Sequence, residues 1–170
     1  MELDYCKMLN GVLPEEIRVI SWTPVTEEFS SRFSCTARVY RYFFVRRGLD
    51  LGRMELALSK IVGDHDFRNI AKMDTEHVSN FRRLIYAAKI VRGGEGGERE
   101  QCHFEIKGQA FLWHMVRNIV QVMFFVGKGL EDPSVVDELF DVEKMPRKPN
   151  YKMADDFPLV LHRCEFNDLR

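Results

Sequence analysis

An α+β fold, with an antiparallel or mixed sheet and helices packed on one face, is what this sequence predicts. Three observations carry that expectation. Segments with strand alternation and segments with helical spacing follow one another irregularly, not as repeated strand–helix pairs. One pair of strand segments is separated by GGEGGERE, a flexible hairpin loop. The chain also has a core to bury: 45% of its 170 residues are hydrophobic and 13 are Phe, which favours a single domain over residues 1–170 and argues against disorder.

The elements follow in order. Leu3, Cys6, Leu9 and Leu13 predict a short opening helix with no cap, as in a chain cut from a longer one; Asn10-Gly11 and Pro14 end it. Residues 17–22 read as a strand and residues 23–31 as a polar connection. Residues 33–45, rich in Tyr, Phe, Thr and Val, give the clearest strand. Thr36, Arg38, Tyr40, Tyr42 and Phe44 share one of its faces; Ala37, Val39, Arg41, Phe43 and Val45 share the other. Met54, Leu58 and Ile61 place a helix at residues 53–62, closed by Gly63, and GDHDF makes a turn. Residues 83–91 and 101–106 are the hairpin strands. A helix is expected over residues 110–126. Asp132 as N-cap and Pro133 at the first helical position start another, through Leu139. MPRKPNY is an extended basic loop, and residues 157–166 form a final, half-buried strand.

Composition excludes several classes. A net charge of -1 argues against holding nucleic acid by bulk charge and leaves only local basic patches. The four cysteines form no C-x-x-C pair and have no zinc spacing, so they read as reduced, buried thiols of an intracellular protein. Glu2 and Asp4 stand where a signal peptide would be positive, and the 110–126 run carries Arg117 near its middle, which a lipid-facing helix does not tolerate cheaply. No G-x-S-x-G, Walker loop, G-x-G-x-x-G or H-E-x-x-H occurs.

Arg117 is the anomaly of the sequence. In AFLWHMVRNIVQVMFFV, the residues His114, Arg117, Asn118 and Gln121 fall at i, i+3, i+4 and i+7, a polar stripe on an otherwise apolar helix. A guanidinium keeps its charge, so Arg117 calls for a carboxylate or a phosphate. The stripe fits a cleft wall facing an anion, and equally a helix whose one wet side faces water. In SCTARVYRYFF, Arg38, Tyr40, Arg41 and Tyr42 interleave cations with rings that could stack on bases; an ordinary strand with Tyr in the core and Arg at the edge fits the pattern too. Asp64, His65 and Asp66 of GDHDF could suggest a metal, but no other ligand-rich motif accompanies them, and a solvated turn is the simpler reading.

LNGVLPEEIRV, RFSCTARVYRYFF, GDHDFRNIAKMD, GQAFLWHMVRNIV with VGKGLEDP after it, and YKMADDFPLVLHRCEF occur together, in this order, in one family. The chain resembles the TruA family of tRNA pseudouridine synthases, and within it the eukaryotic branch acting on the 3′ side of the anticodon stem-loop. That resemblance implies an intracellular isomerase of the nucleus or cytoplasm. It implies tRNA as partner, no cofactor and no metal, and it admits a homodimer. Tyr40 matches the tyrosine that packs on the target base and Arg117 the arginine that ion-pairs with the catalytic aspartate. Leu159 and Leu161 match an apolar strand lining the pocket. Arg32 and Arg38 match basic positions near the cleft, and Arg41, His114 and Asn118 join them as expected RNA contacts. The family's nucleophile sits in a G-R-T-D loop that this sequence lacks; Asp4, Asp50, Asp64, Asp66 and Asp74 all have other surroundings. The resemblance is therefore to the C-terminal half, and the chain by itself is expected to be inactive. The rival expectation is a non-catalytic RNA-binding or dimerisation module.

Overall fold

Strand β1, Cys35–Val45, is the spine of the molecule. The computed structural model describes residues 3–72, 78–94 and 96–167. In it β1 pairs antiparallel with β4 (Gln101–Gly108) on one side and β5 (Leu159–Phe166) on the other. Strand β3 (Arg82–Gly93) pairs antiparallel with β4, and β2 (Gly63–Asp66) pairs with β3. The sheet thus has five strands in the order β2-β3-β4-β1-β5, every pairing antiparallel.

Side-chain alternation gives this sheet two unlike faces. Tyr42, Phe104, Ile106 and Ile85 join the core with α2 (Leu51–Ser59), α3 (Met115–Gly127) and α4 (Val135–Phe140), so the helices pack on that face. Helix α2 starts because the Asp50 side chain accepts from the Arg53 amide at 3.0 Å, and it buries Leu51, Met54, Ala57 and Leu58. Helix α3 is buried over most of its circumference. At Gly127 any Cβ would lie 2.5 Å from Met54 Sδ and 3.2 Å from Leu49, so glycine is what lets α3 close on α2. The reverse face carries ion pairs between strands, two of them between neighbours and one, Lys107 to Glu165, reaching across β1. Arg41 meets Glu105 at 2.7 Å, Lys89 meets Glu105 at 3.1 Å and Lys107 meets Glu165 at 2.7 Å.

Several elements differ from the sequence reading. Residues 17–22 form no strand. They have no neighbouring strand to pair with, Ile20 is 92% exposed, and Val19 is held by the Asn10 side chain at 2.8 and 2.9 Å. The opening helix α1, Tyr5–Asn10, does have a cap: Asp4 accepts from the Lys7 amide at 3.0 Å. GDHDF is no turn, because Gly63 to Asp66 find partners in Ile85 to Arg82 and become β2. Helix α3 begins at Met115 and not at Ala110, because His114 takes a left-handed conformation, φ 59°, that breaks the run. Ser134 precedes α4, while Asp132 accepts from the Ser134 amide one turn earlier. Strand β5 is an edge strand, with Val160 to Arg163 exposed and its other four residues half-buried. Cys35 and Cys102 are buried, but Cys6 and Cys164 are only half so.

Candidate functional site

Tyr40 stands on the helix-side face of β1, with Ile106 of β4 and Leu161 of β5 opposite it. Its ring meets Phe111 edge to face, centroids 5.0 Å apart. Phe111 reaches it because Gly108 has no side chain: a Cβ there would lie 3.0 Å from Phe111 and 2.8 Å from Ile85. Burial pushes the Tyr40 phenol above its ordinary pKa, so the hydroxyl stays protonated at neutral pH.

After Phe111 the chain turns through His114 into α3, which delivers Arg117 one turn in. Tyr40, Phe111, His114, Arg117 and Leu159, with Leu112, Met115 and Val116, line one cavity of about 110 Å³. Residues chosen at 40, 114, 117 and 159 in the sequence are therefore brought together by β1, α3 and β5.

The Arg117 side chain is 17% exposed. Its Nε donates to the Ala154 carbonyl at 2.7 Å, which fixes the plane of the guanidinium. Its carboxylate partner within the chain is Asp156, at 3.8 Å and with an 82% exposed side chain. So distant and wet a pair contributes little. The Nη edge makes no hydrogen bond among the described residues and remains available for a bidentate anion.

The rest of the polar stripe divides. Asn118 is buried; its Nδ2 donates to the His114 carbonyl at 2.9 Å and its Oδ1 accepts from Lys148 Nζ at 2.6 Å. Burial holds the Lys148 ammonium below its ordinary pKa. The His114 imidazole is pushed down, first by burial and then by the charges of Arg117, Lys72 and Lys148. Trp113 beside it is half exposed, with Lys72 Nζ 4.0 Å from its ring centre.

A wider groove of about 470 Å³ adjoins the cavity and shares Tyr40 and Phe111 with it. Arg32, Phe33, Arg38 and Arg83 line it. Arg41 does not join this side; it lies on the reverse face, tied to Glu105. Leu161 faces the same way as Tyr40 but is 49% exposed and lines neither space. Phe33, Phe111, Arg83 and Lys148 are residues that sequence reasoning missed. Lys148 had one signal, its place in a basic loop.

The aspartates weighed in the sequence lie elsewhere where they are described. Asp4 and Asp50 cap helices, Asp64 pairs with Arg82 and Asp66 with Arg68, while Asp74 lies outside the described residues. His65 stacks on Phe140 with centroids 4.4 Å apart. Among the described residues no group of three or more His, Cys, Asp or Glu is placed to hold a metal ion, and no helix is long and apolar enough to cross a membrane.

A five-stranded antiparallel sheet with helices on one face is the α+β architecture expected from the sequence. Residues 57–167 match the family model described as tRNA pseudouridine synthase, and the chain belongs to that family. Over 99% of its length it is 49% identical to the tRNA pseudouridine(38/39) synthase of Bos taurus and 48% identical to that of Homo sapiens. It is 34% identical, over 96% of its length, to the tRNA pseudouridine synthase A of Archaeoglobus fulgidus. The chain spans only 37% of the length of the cattle and human relatives and 58% of the archaeal one.

Proposed function

We propose that this chain is the part of an anticodon-stem-loop pseudouridine synthase that holds the target base and orients the nucleophile. The carrying observation is that Tyr40, Arg117 and Leu159 line one cavity. In this reading the target uridine leaves the RNA stack and enters the cavity. Tyr40 packs on the base, with Phe111 holding the ring edge-on behind it. An aspartate carboxylate attacks ribose C1′ as the bond from C1′ to uracil N1 breaks, and it leaves again when uracil C5 bonds to C1′. The C5 proton is lost and N1 gains one, so the reaction is an isomerisation. Arg117, its Nε already held by Ala154, offers its Nη edge to the aspartate.

No carboxylate lines the cavity among the described residues, and G-R-T-D is absent from the sequence. The nucleophile is thus supplied from outside residues 1–170, and the chain alone is inactive. In the cell the assembled enzyme acts in the nucleus or cytoplasm, with no cofactor. Release of tritium from C5-labelled uridine in tRNA tests this. None is expected from the 170-residue chain, and turnover by it would refute the inactivity. If Asp156→Asn then abolished that turnover, the exposed Asp156 would be the nucleophile.

Dimerisation is the second reading, favoured by apolar side chains left in the open: Phe157 is 97% exposed and Ile20 92%. Sedimentation equilibrium of the chain against a Phe157→Ser variant decides it.

A further inference from the structure

The wider groove beside the base cavity holds three guanidinium groups and no acid. Arg32 and Arg38 come from the end of the polar connection and from β1, Arg83 from the start of β3. Strand β4 lies between the last two. Arg38 is paired with Gly108, and the next residue, Gln109, donates its amide to the Leu84 carbonyl at 2.9 Å, which draws the start of β3 to the same end of the sheet. None of the three arginines has a carboxylate within ion-pair distance among the described residues. Each instead leans on uncharged groups. Arg38 donates to the carbonyls of Gln109 and Arg32, and Arg83 Nη1 to those of Asn80 and Arg82 at 2.8 and 2.6 Å. Arg83 is half-buried and its Nε is buried without a partner. Carbonyls orient a guanidinium without neutralising it. Three uncompensated cations in one groove, two of them oriented by carbonyls, are an arrangement that an arriving anion completes.

Aromatic surface accompanies the charge. Phe33 is 82% exposed at the groove's rim, with the Arg32 guanidinium 5.5 Å from its ring centre. An apolar ring left in water beside phosphate-binding groups is a stacking platform. The groove runs directly into the base cavity through Tyr40 and Phe111.

We infer that this groove is a second RNA subsite, seating the nucleotide next to the target uridine, its phosphodiester on Arg83 and Arg38 and its base on Phe33. The inference rests on the RNA reading of the base cavity and adds Arg83 and Phe33 to it. Holding the neighbouring nucleotide outside the helical stack would keep the target base from returning, so the subsite supplies part of the unstacking cost.

The test titrates the chain with a fluorescent anticodon stem-loop RNA carrying one target uridine. Two further RNAs each have a neutral methylphosphonate in place of one flanking phosphate. Wild-type affinity should fall several-fold for one of the two. Arg83→Gln should show the same loss with the unmodified RNA and none beyond it with that methylphosphonate. Its salt dependence should shrink by about 0.7–0.9 in log–log slope, the signature of one phosphate. Phe33→Ala, at a side chain too exposed to threaten folding, should weaken binding several-fold at unchanged salt slope and serves if Arg83→Gln does not fold. If the wild-type chain binds RNA but both variants bind as well as it does, with full sensitivity to both methylphosphonates, this inference is overturned and the base-cavity reading stands. If the wild type binds no RNA, both fall together.

Discussion

The two faces of the sheet handle positive charge in opposite ways. On the reverse face Arg41, Lys89, Lys107 and Arg163 each meet a carboxylate within 3.1 Å, and two glutamates, Glu105 and Glu165, serve all four. On the helix side, at the Tyr40 end, Arg38, Arg83 and Lys148 meet carbonyl or amide oxygens only, and Arg117 has a carbonyl with a distant carboxylate. Net charge near zero therefore conceals a strong asymmetry. A cation paired across strands is complete, and its face is a solvated surface. A cation held by neutral dipoles is aimed but not neutralised, which is the arrangement expected of a site whose anion arrives with the substrate.

The largest expected contrast is between Arg117 and Arg41. In the full-length enzyme, Arg117→Ala should lower turnover by ~100-fold or more, since it strips a catalytic carboxylate of its charge partner, while RNA affinity changes little. Arg41→Gln should leave both within about twofold, as an exposed ion pair contributes under about 1 kcal/mol. Single-turnover rates and binding isotherms separate the two. If Arg117→Ala chiefly weakens binding, Arg117 contacts phosphate and the orienting role is lost.

Next in size is the stability of the two faces. Asn118→Leu removes the oxygen that receives Lys148 and leaves a half-buried ammonium without its partner; a loss of about 1–3 kcal/mol follows. Adding Lys148→Met should recover much of it. Glu105→Gln, on the wet face, should cost under about 1 kcal/mol. Equal thermal shifts for Asn118→Leu and Glu105→Gln would erase the distinction between buried and solvated cations.

The sequence made this comparison half visible. Alternation along residues 35–45 already put Tyr40 and Arg41 on opposite faces, which is a property of any strand. The helical run around Arg117 was equally plain, because an arginine inside apolar residues stands out. What alternation does not contain is pairing. Nothing local says that Glu105 lies opposite Arg41, or that Arg83 ends beside Arg38 across an intervening strand. Nor does the polar stripe by itself tell a cleft wall from a wet helix side. Helical spacing places Asn118 near Arg117, but only the return of residues 148–156 across α3 decides that Asn118 is sealed under Lys148 while Arg117 keeps an edge free. The false strand at residues 17–22 shows the converse: β-propensity without a neighbour makes no strand.

The smallest expected effect concerns the two depressed histidines, one on each face. Burial lowers both His114 and His103; Arg117, Lys72 and Lys148 add to it for the first, while for the second Arg41 adds to it and Glu105 opposes. In each case the unfolded chain takes up a proton more readily than the folded one, so stability falls as pH drops from about 6.5 through the lowered folded value. In the apo protein either His→Gln variant should flatten that acid-side loss. RNA should distinguish them. Phosphates arriving beside His114 favour its charged form and raise its pKa, so binding takes up a proton and affinity rises as pH falls from 7.5 to 5.5. The gain should stay below about tenfold, the limit set by one pKa unit. His114→Gln should abolish it and His103→Gln should leave it intact. An affinity that loses its pH dependence with His103→Gln would place the RNA on the reverse face, and one that is pH-independent in the wild type would mean that no phosphate arrives beside His114.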